Sequence, residues 1–313
     1  METFAAFSVK KETAAPPAGV AVPIIFWPAA VAGLAYSMWG EGFDANLTLA
    51  AAAVLMLCVG LPHGAYDLAV ASRAFSLGKK SACIIFTIYI LISLFMLAMW
   101  SFNNVITLFI FLTLSAIHFG DDWRMLDSAL LRFLAGASIV CIPTFFQTES
   151  VLILFGAMAQ NEVWWVGALF VAATPVAILV TIVGMKIAWE RGNKAWVCAQ
   201  AVSLIGLALL PPQIGFLLYF GFLHSPLHMR EVVHLLPNWS KKHFWSYGTI
   251  ICLGCLVVAT LLLPNLISGQ SREMSAEAFR LLSILAAPHL VLTLAMRSDF
   301  ARRTILTYFA QKS

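Results

Sequence analysis

An all-α, polytopic bundle embedded in a membrane is the expectation for this chain of 313 residues. Hydrophobic residues make up 61% of it and charged residues 11%, against roughly 45–50% and about 25% in soluble domains. Its mean hydropathy is +0.89. The apolar residues also come in blocks of about 20, the length a helix needs to cross a ~30 Å hydrocarbon core. A surface with so few charges would not stay wet, which excludes a soluble globule. Disorder requires low hydrophobicity and high charge, so it is excluded as well.

Polar and turn-rich breaks divide the chain into about ten blocks, with eight spans and two half-helices as the neighbouring solution. The first, 19–39, follows Lys10, Lys11, Pro16 and Pro17. It outruns a signal-peptide core and lacks a small-residue cleavage site, so it reads as a span. Next come 46–71, closed by Arg73, and 82–100, opened by Lys79 and Lys80. Block 104–120 stops before Asp121, Asp122 and Arg124, and 128–146 follows. Segment 147–162 holds only a short apolar piece, Val151 to Met158, and fits a re-entrant or interfacial helix. The rest are 163–186, 195–211, 213–236, 244–264 and 277–296.

With ten spans and a cytoplasmic N-terminus, 17 of the 19 Lys and Arg fall on the cytoplasmic side, leaving only Arg272 and Arg280 opposite. That is the positive-inside distribution. Both termini are therefore expected in the cytoplasm, as a short segment 1–18 and a tail 298–313 on one catalytic domain, 1–313, in the inner (plasma) membrane. The net charge of +4 is small and its cations are scattered, which is no nucleic-acid footprint. All six cysteines lie in apolar stretches and read as small buried hydrophobes, Cys252 and Cys255 included despite their C-x2-C spacing.

The polar residues inside the spans carry the chemistry. His243 sits beside Lys241 and Lys242, and His234 ends the eighth span, so both read as interfacial. The other five histidines, His63, His118, His224, His228 and His289, lie within spans, where polar side chains are costly and face the bundle interior. His63 is ten residues before Arg73, His118 six before Arg124, His228 two before Arg230 and His289 eight before Arg297. These spacings put them within roughly 3–15 Å of the same boundary. Four helices thus bring imidazoles to one layer. His224 and His228 form H-x3-H on one helix face, the spacing that holds a metal in helical bundles; two separate interhelical hydrogen bonds are the plainer reading.

Carboxylates accompany them. Asp67 is one turn beyond His63 and is the best candidate for orienting a metal-bound imidazole. Asp121 and Asp122 follow His118 and fit an interfacial cap equally well, while Glu231, three residues past His228, could pair with Arg230 or lipid headgroups. With no cysteine at these positions, an imidazole set suits Fe, Zn or Cu. A non-polar substrate within a membrane bundle favours Fe(II) with open positions for oxygen. Phe, Trp and Met number 23, 10 and 11, a lining suited to a long apolar ligand. Gly64, Gly120 and Gly221 beside the histidines permit close backbone approach, or ordinary helix packing.

Four segments together resemble a known family: Leu61-Pro62-His63-Gly64-Ala65-Tyr66-Asp67, Ser115-Ala116-Ile117-His118-Phe119-Gly120-Asp121-Asp122-Trp123, Leu223-His224-Ser225-Pro226-Leu227-His228, and Ala287-Pro288-His289. They are similar in content and order to the Brp/Blh (bacteriorhodopsin-related protein-like) family of prokaryotic membrane β-carotene 15,15'-dioxygenases. The resemblance implies Fe(II)-dependent cleavage of β-carotene by O₂ at its central double bond to two all-trans-retinal. It also implies iron ligands at His63, His118, His224 and His228, with His289 a further ligand or a supporting donor. A retinal-binding opsin is the implied consumer of the product. Three other classes fit the residues less well. A diiron membrane desaturase or hydroxylase needs around eight histidines in several boxes. A proton-coupled transporter with a His/Asp relay predicts inverted repeats, and none stands out. A bis-histidine haem protein would use only two of the five.

Overall fold

The computed structural model describes residues 21–40, 44–75, 77–263, 265–268 and 270–297. All regular structure there is helical, with no strand among the described residues. The helices are α1 (Phe26–Trp39), α2 (Ala45–Gly64), α3 (Asp67–Ala74), α4 (Lys79–Phe102), α5 (Asn104–Phe119), α6 (Ala129–Phe146), α7 (Thr148–Ala159), α8 (Trp164–Glu190), α9 (Lys194–Leu209), α10 (Pro212–Tyr219), α11 (Ser225–Leu235), α12 (Lys241–Leu262), α13 (Asn265–Ser268) and α14 (Ser271–Arg297). Seven helical stretches among the described residues are long and apolar enough to cross a membrane: Ala45–Ala74, α4, Asn104–Trp123, α6, α8, α12 and Ser271–Met296.

The expected blocks reappear, three of them shortened. Block 19–39 yields a helix of 14 residues, 195–211 one of 16, and 213–236 is split into α10 and α11. The segments 1–18 and 298–313 lie outside the described residues. Segment 147–162 forms α7, whose 12 residues reach about 18 Å, too short for a ~30 Å core. Its buried face, Val151, Leu154, Phe155 and Met158, packs into the main core with α5, α6 and α14.

Local chemistry sets the breaks. Asp44, Asn103 and Ser240 cap α2, α5 and α12 by accepting the amides of Leu47, Ile106 and His243, the usual relief for unpaired amides at a helix start. Pro62 lies in the last turn of α2 and has no amide to give; Ala65 N–H closes a tighter turn onto Pro62 O and the helix stops at Gly64. Pro226 likewise cannot close the preceding α turn. Ser225 N–H instead reaches back five residues to Phe220 O, and Phe220–His224 is a π-helical turn joining α10 to α11. Such turns concentrate at functional sites.

α14 is the central helix: 61% of its spanning window is buried, against 11% for α4 and for α12, which form the periphery. Glycines let the inner helices cross closely. A Cβ at Gly136 of α6 would overlap Ala116 O and Gly120 N at the end of α5, and one at Gly120 would come within 2.7 Å of Arg132 O. The cysteine expectation holds for Cys141, which is buried; Cys58, Cys83 and Cys198 are exposed and Cys252 and Cys255 half-buried. The outside of a membrane bundle is as apolar as its core, so an apolar neighbourhood in sequence does not fix which way a thiol faces.

Candidate metal centre

The five intramembrane histidines meet. Four arrive where a helix ends or changes register: His63 in the last turn of α2, His118 in the last turn of α5, His224 closing the π turn and His228 in the first turn of α11; His289 lies inside α14, beside Pro288. Ring centroids are 4.7 Å apart for His63 and His289, 4.9 Å for His63 and His228, and 4.9 Å for His118 and His224. His228 also lies 5.4 Å from His289. His63, His224 and His289 are buried. His63, His118 and His289 form a group able to share one ion, with ligand nitrogens all within 4.8 Å of one another.

The nitrogen facing the centre is Nε2. His63 Nε2 and His289 Nε2 are 3.2 Å apart, and His224 Nε2 and His118 Nε2 are 3.1 Å apart. Two carboxylates, Asp67 buried and Asp122 partly so, fix the orientation from behind. His289 Nδ1 lies 2.8 Å from both oxygens of Asp67, and His224 Nδ1 lies 2.9 Å from Asp122 Oδ2. An ionised carboxylate only accepts, so Nδ1 of each imidazole donates and its Nε2 turns a lone pair inward. Two facing lone pairs at such distances repel unless a proton or a cation lies between them. Nitrogens sharing an ion at about 2.1 Å sit roughly 3.0–3.4 Å apart, so the observed spacings fit a common metal. His63 Nδ1 is buried with no hydrogen-bond partner, so no neighbour at that nitrogen selects the tautomer of this ring.

The carboxylates cross over. Asp67 supports His289 rather than His63, its neighbour in sequence, and Asp122 supports His224 rather than His118. Each also accepts a phenol: Tyr89 Oη donates to Asp67 Oδ2 at 3.0 Å and Tyr219 Oη to Asp122 Oδ2 at 2.8 Å. Neither tyrosine had a sequence signal, because each lies in a separate helix far from its carboxylate. Glu231 is not brought to the histidines. It pairs with Arg124 at 3.3 Å with its side chain 52% exposed, because Glu231 points off the outer face of α11. His234 and His243 are exposed, as expected.

The cluster forms one wall of a cavity of about 610 Å³, within the range of ligand sites. His63, His118 and His289 face it, with Asp67 and Tyr89. The remaining lining is overwhelmingly apolar, with Phe111, Phe119, Phe216 and Phe220 on the inner side and residues of the peripheral helices α4 and α12 on the outer side.

A sequence model of the family described as beta-carotene 15,15'-dioxygenase matches residues 54–297. A protein named beta-carotene 15,15'-dioxygenase, from an uncultured marine bacterium (66A03), is 28% identical over 262 residues, covering 77% of this chain and 91% of that protein. No solved structure matches. The matched region contains all five clustered histidines and both supporting carboxylates.

Proposed function

This chain belongs to the beta-carotene 15,15'-dioxygenase family, and from that premise we propose that it cleaves β-carotene at the central double bond with O₂, giving two all-trans-retinal. One observation carries the reading: five imidazoles cluster inside a membrane bundle, four of them with Nε2 atoms paired at 3.1–3.2 Å, and three of the five, His63, His118 and His289, face an apolar cavity. The reaction adds one oxygen atom of O₂ to each carbon of the broken double bond.

We assign a non-haem Fe(II) to His63, His118, His224 and His228, with His289 as a fifth ligand. His289 joins the set because its ligand nitrogen lies within 4.8 Å of those of His63 and His118 and it has its own carboxylate. Bound iron would supply the one-electron chemistry that lets O₂ react with a closed-shell polyene. The protein's part is placement. A polyene offers nothing to ionise, so no acid or base is required of the lining; the phenyl rings of Phe111, Phe119, Phe216 and Phe220 grip the chain and exclude water. Substrate and product pass between α4 and α12, the two least buried spans, both of which line the cavity. The bundle then lies in the plasma membrane with both termini cytoplasmic, and a retinal-binding opsin takes the aldehyde.

The test is expression in bacteria that accumulate β-carotene, grown iron-replete, followed by pigment extraction. Loss of β-carotene with retinal as the only new product is expected. Unchanged β-carotene beside folded, iron-loaded protein would overturn the carotenoid assignment and leave the metal centre to be matched with another lipid.

A further inference from the structure

The two carboxylates behind the histidines are held alike. Asp67 lies between Tyr89 and His289, and Asp122 between Tyr219 and His224. In one arm the three members come from three helices, Tyr89 from α4, Asp67 from the start of α3 and His289 from α14. In the other, Tyr219 ends α10 and His224 closes the π turn that continues it, so both donors of Asp122, which sits in the 3-10 turn Gly120–Trp123, come from one continuous helical stretch. A carboxylate with a single donor keeps rotational freedom about its last bond. A second donor removes it and turns the acceptor oxygen toward Nδ1.

We propose that Tyr89 and Tyr219 are positioning residues of the metal centre, each acting through its aspartate to lock one imidazole with Nε2 turned inward. The inference rests on the proposed metal centre and goes beyond it, since neither phenol reaches the facing nitrogens itself. The arms differ in one respect. Tyr219 is wholly enclosed by protein, whereas Tyr89 borders the cavity and comes from a peripheral helix. A ligand seated against α4 therefore touches the support of His289 directly.

The experiment is an anaerobic competition titration of Fe(II) against a chromogenic chelator, on detergent-purified chain, with thermal unfolding of the metal-free protein measured alongside. Tyr89→Phe and Tyr219→Phe are each expected to weaken Fe(II) binding roughly fivefold, the equivalent of one hydrogen bond. Asp67→Asn and Asp122→Asn should weaken it about 10–100-fold. The decisive reading is the double variant: Tyr89→Phe should cost nothing further once Asp67 is Asn, nor Tyr219→Phe once Asp122 is Asn. Unchanged affinity in both single variants overturns the proposal. So does a Tyr89→Phe loss that persists in the Asp67→Asn background, which would mark general loosening of the fold. Should Asp67→Asn fail to fold, the same cycle with His289→Gln decides. A wild-type chain that binds no Fe(II) would remove the metal centre itself and this inference with it, an outcome visible before any variant is compared.

Discussion

His63 to Asp67 and His118 to Asp122 are the same device at two places in the chain. Each is a helix that ends on a histidine, turns at a glycine and presents an aspartate four residues on. Each gives the centre one inward imidazole and lends its carboxylate to a histidine from a different helix. Their surroundings differ beyond the histidine, since His63 and His118 both face the cavity. The far side of the second corner is packed shut: Trp123 is fully buried against Gly184 and the Trp196 ring, and the backbones of α5 and α6 touch at Gly120 and Gly136. The first opens on the cavity, where a Cβ added at Gly64 would stand 3.8–4.0 Å from Asp67, His289 and Tyr89, and Tyr66 ties it outward by a hydrogen bond to Phe244 O of α12. Both histidines face the cavity, but only in the first corner do the glycine and the aspartate line it as well.

The largest effect should not distinguish them. His63→Ala and His118→Ala are each expected to abolish retinal formation in a chain that still folds. The loss should exceed the roughly 10–100-fold that follows removal of a supporting carboxylate. His243→Ala, at an exposed residue set edge-on to Trp239, should leave turnover unchanged. Retinal production in the β-carotene strain, with iron content per chain, measures all three. Wild-type turnover from either ligand variant would break the equivalence of the corners.

The next effect should separate them sharply. A methyl group at Gly120 meets the carbonyl oxygen of Arg132 at 2.7 Å, and backbone has nowhere to yield. Gly120→Ala should therefore cost about 1–3 kcal/mol of stability, the range for overpacking. At Gly64 the nearest atoms are at ordinary van der Waals distance, so Gly64→Ala should unfold like wild type. Denaturation of both variants in one detergent compares them directly. Equal destabilisation would mean that the first corner is as tightly built as the second.

Much of this was legible before any coordinates. The blocks of about 20 apolar residues gave the spans, because length against bilayer thickness is a one-dimensional question. Depth from the cationic boundary was enough to put five histidines in one layer, where the structure also brings them together. What the sequence hid were relations across helices. Asp67 was legible as a supporting carboxylate, but its partner His289 is 222 positions away. Tyr89 and Tyr219 are unremarkable in their own helices and matter only through a neighbour. Chain interruptions were half visible: Pro62 and Pro226 marked the breaks, while the π turn that Pro226 imposes depends on which carbonyl the preceding amide reaches.

Glu231 is the smallest expected effect and tests the same comparison from its edge. It stands three residues after His228, a spacing that places it near the histidine's face of α11, and by sequence it was as good a support as Asp122. Its carboxylate instead meets Arg124, just past the second corner, with side chains 52% and 39% exposed. Exposed pairs of this kind contribute about 0–1 kcal/mol. Glu231→Gln should thus leave Fe(II) affinity and retinal yield at wild-type levels, with a shift in unfolding near the limit of detection. A tenfold loss of metal affinity would place a third carboxylate behind the cluster, with His228 as its natural partner. The centre would then have three supported imidazoles, and the paired corners would no longer be its organising unit.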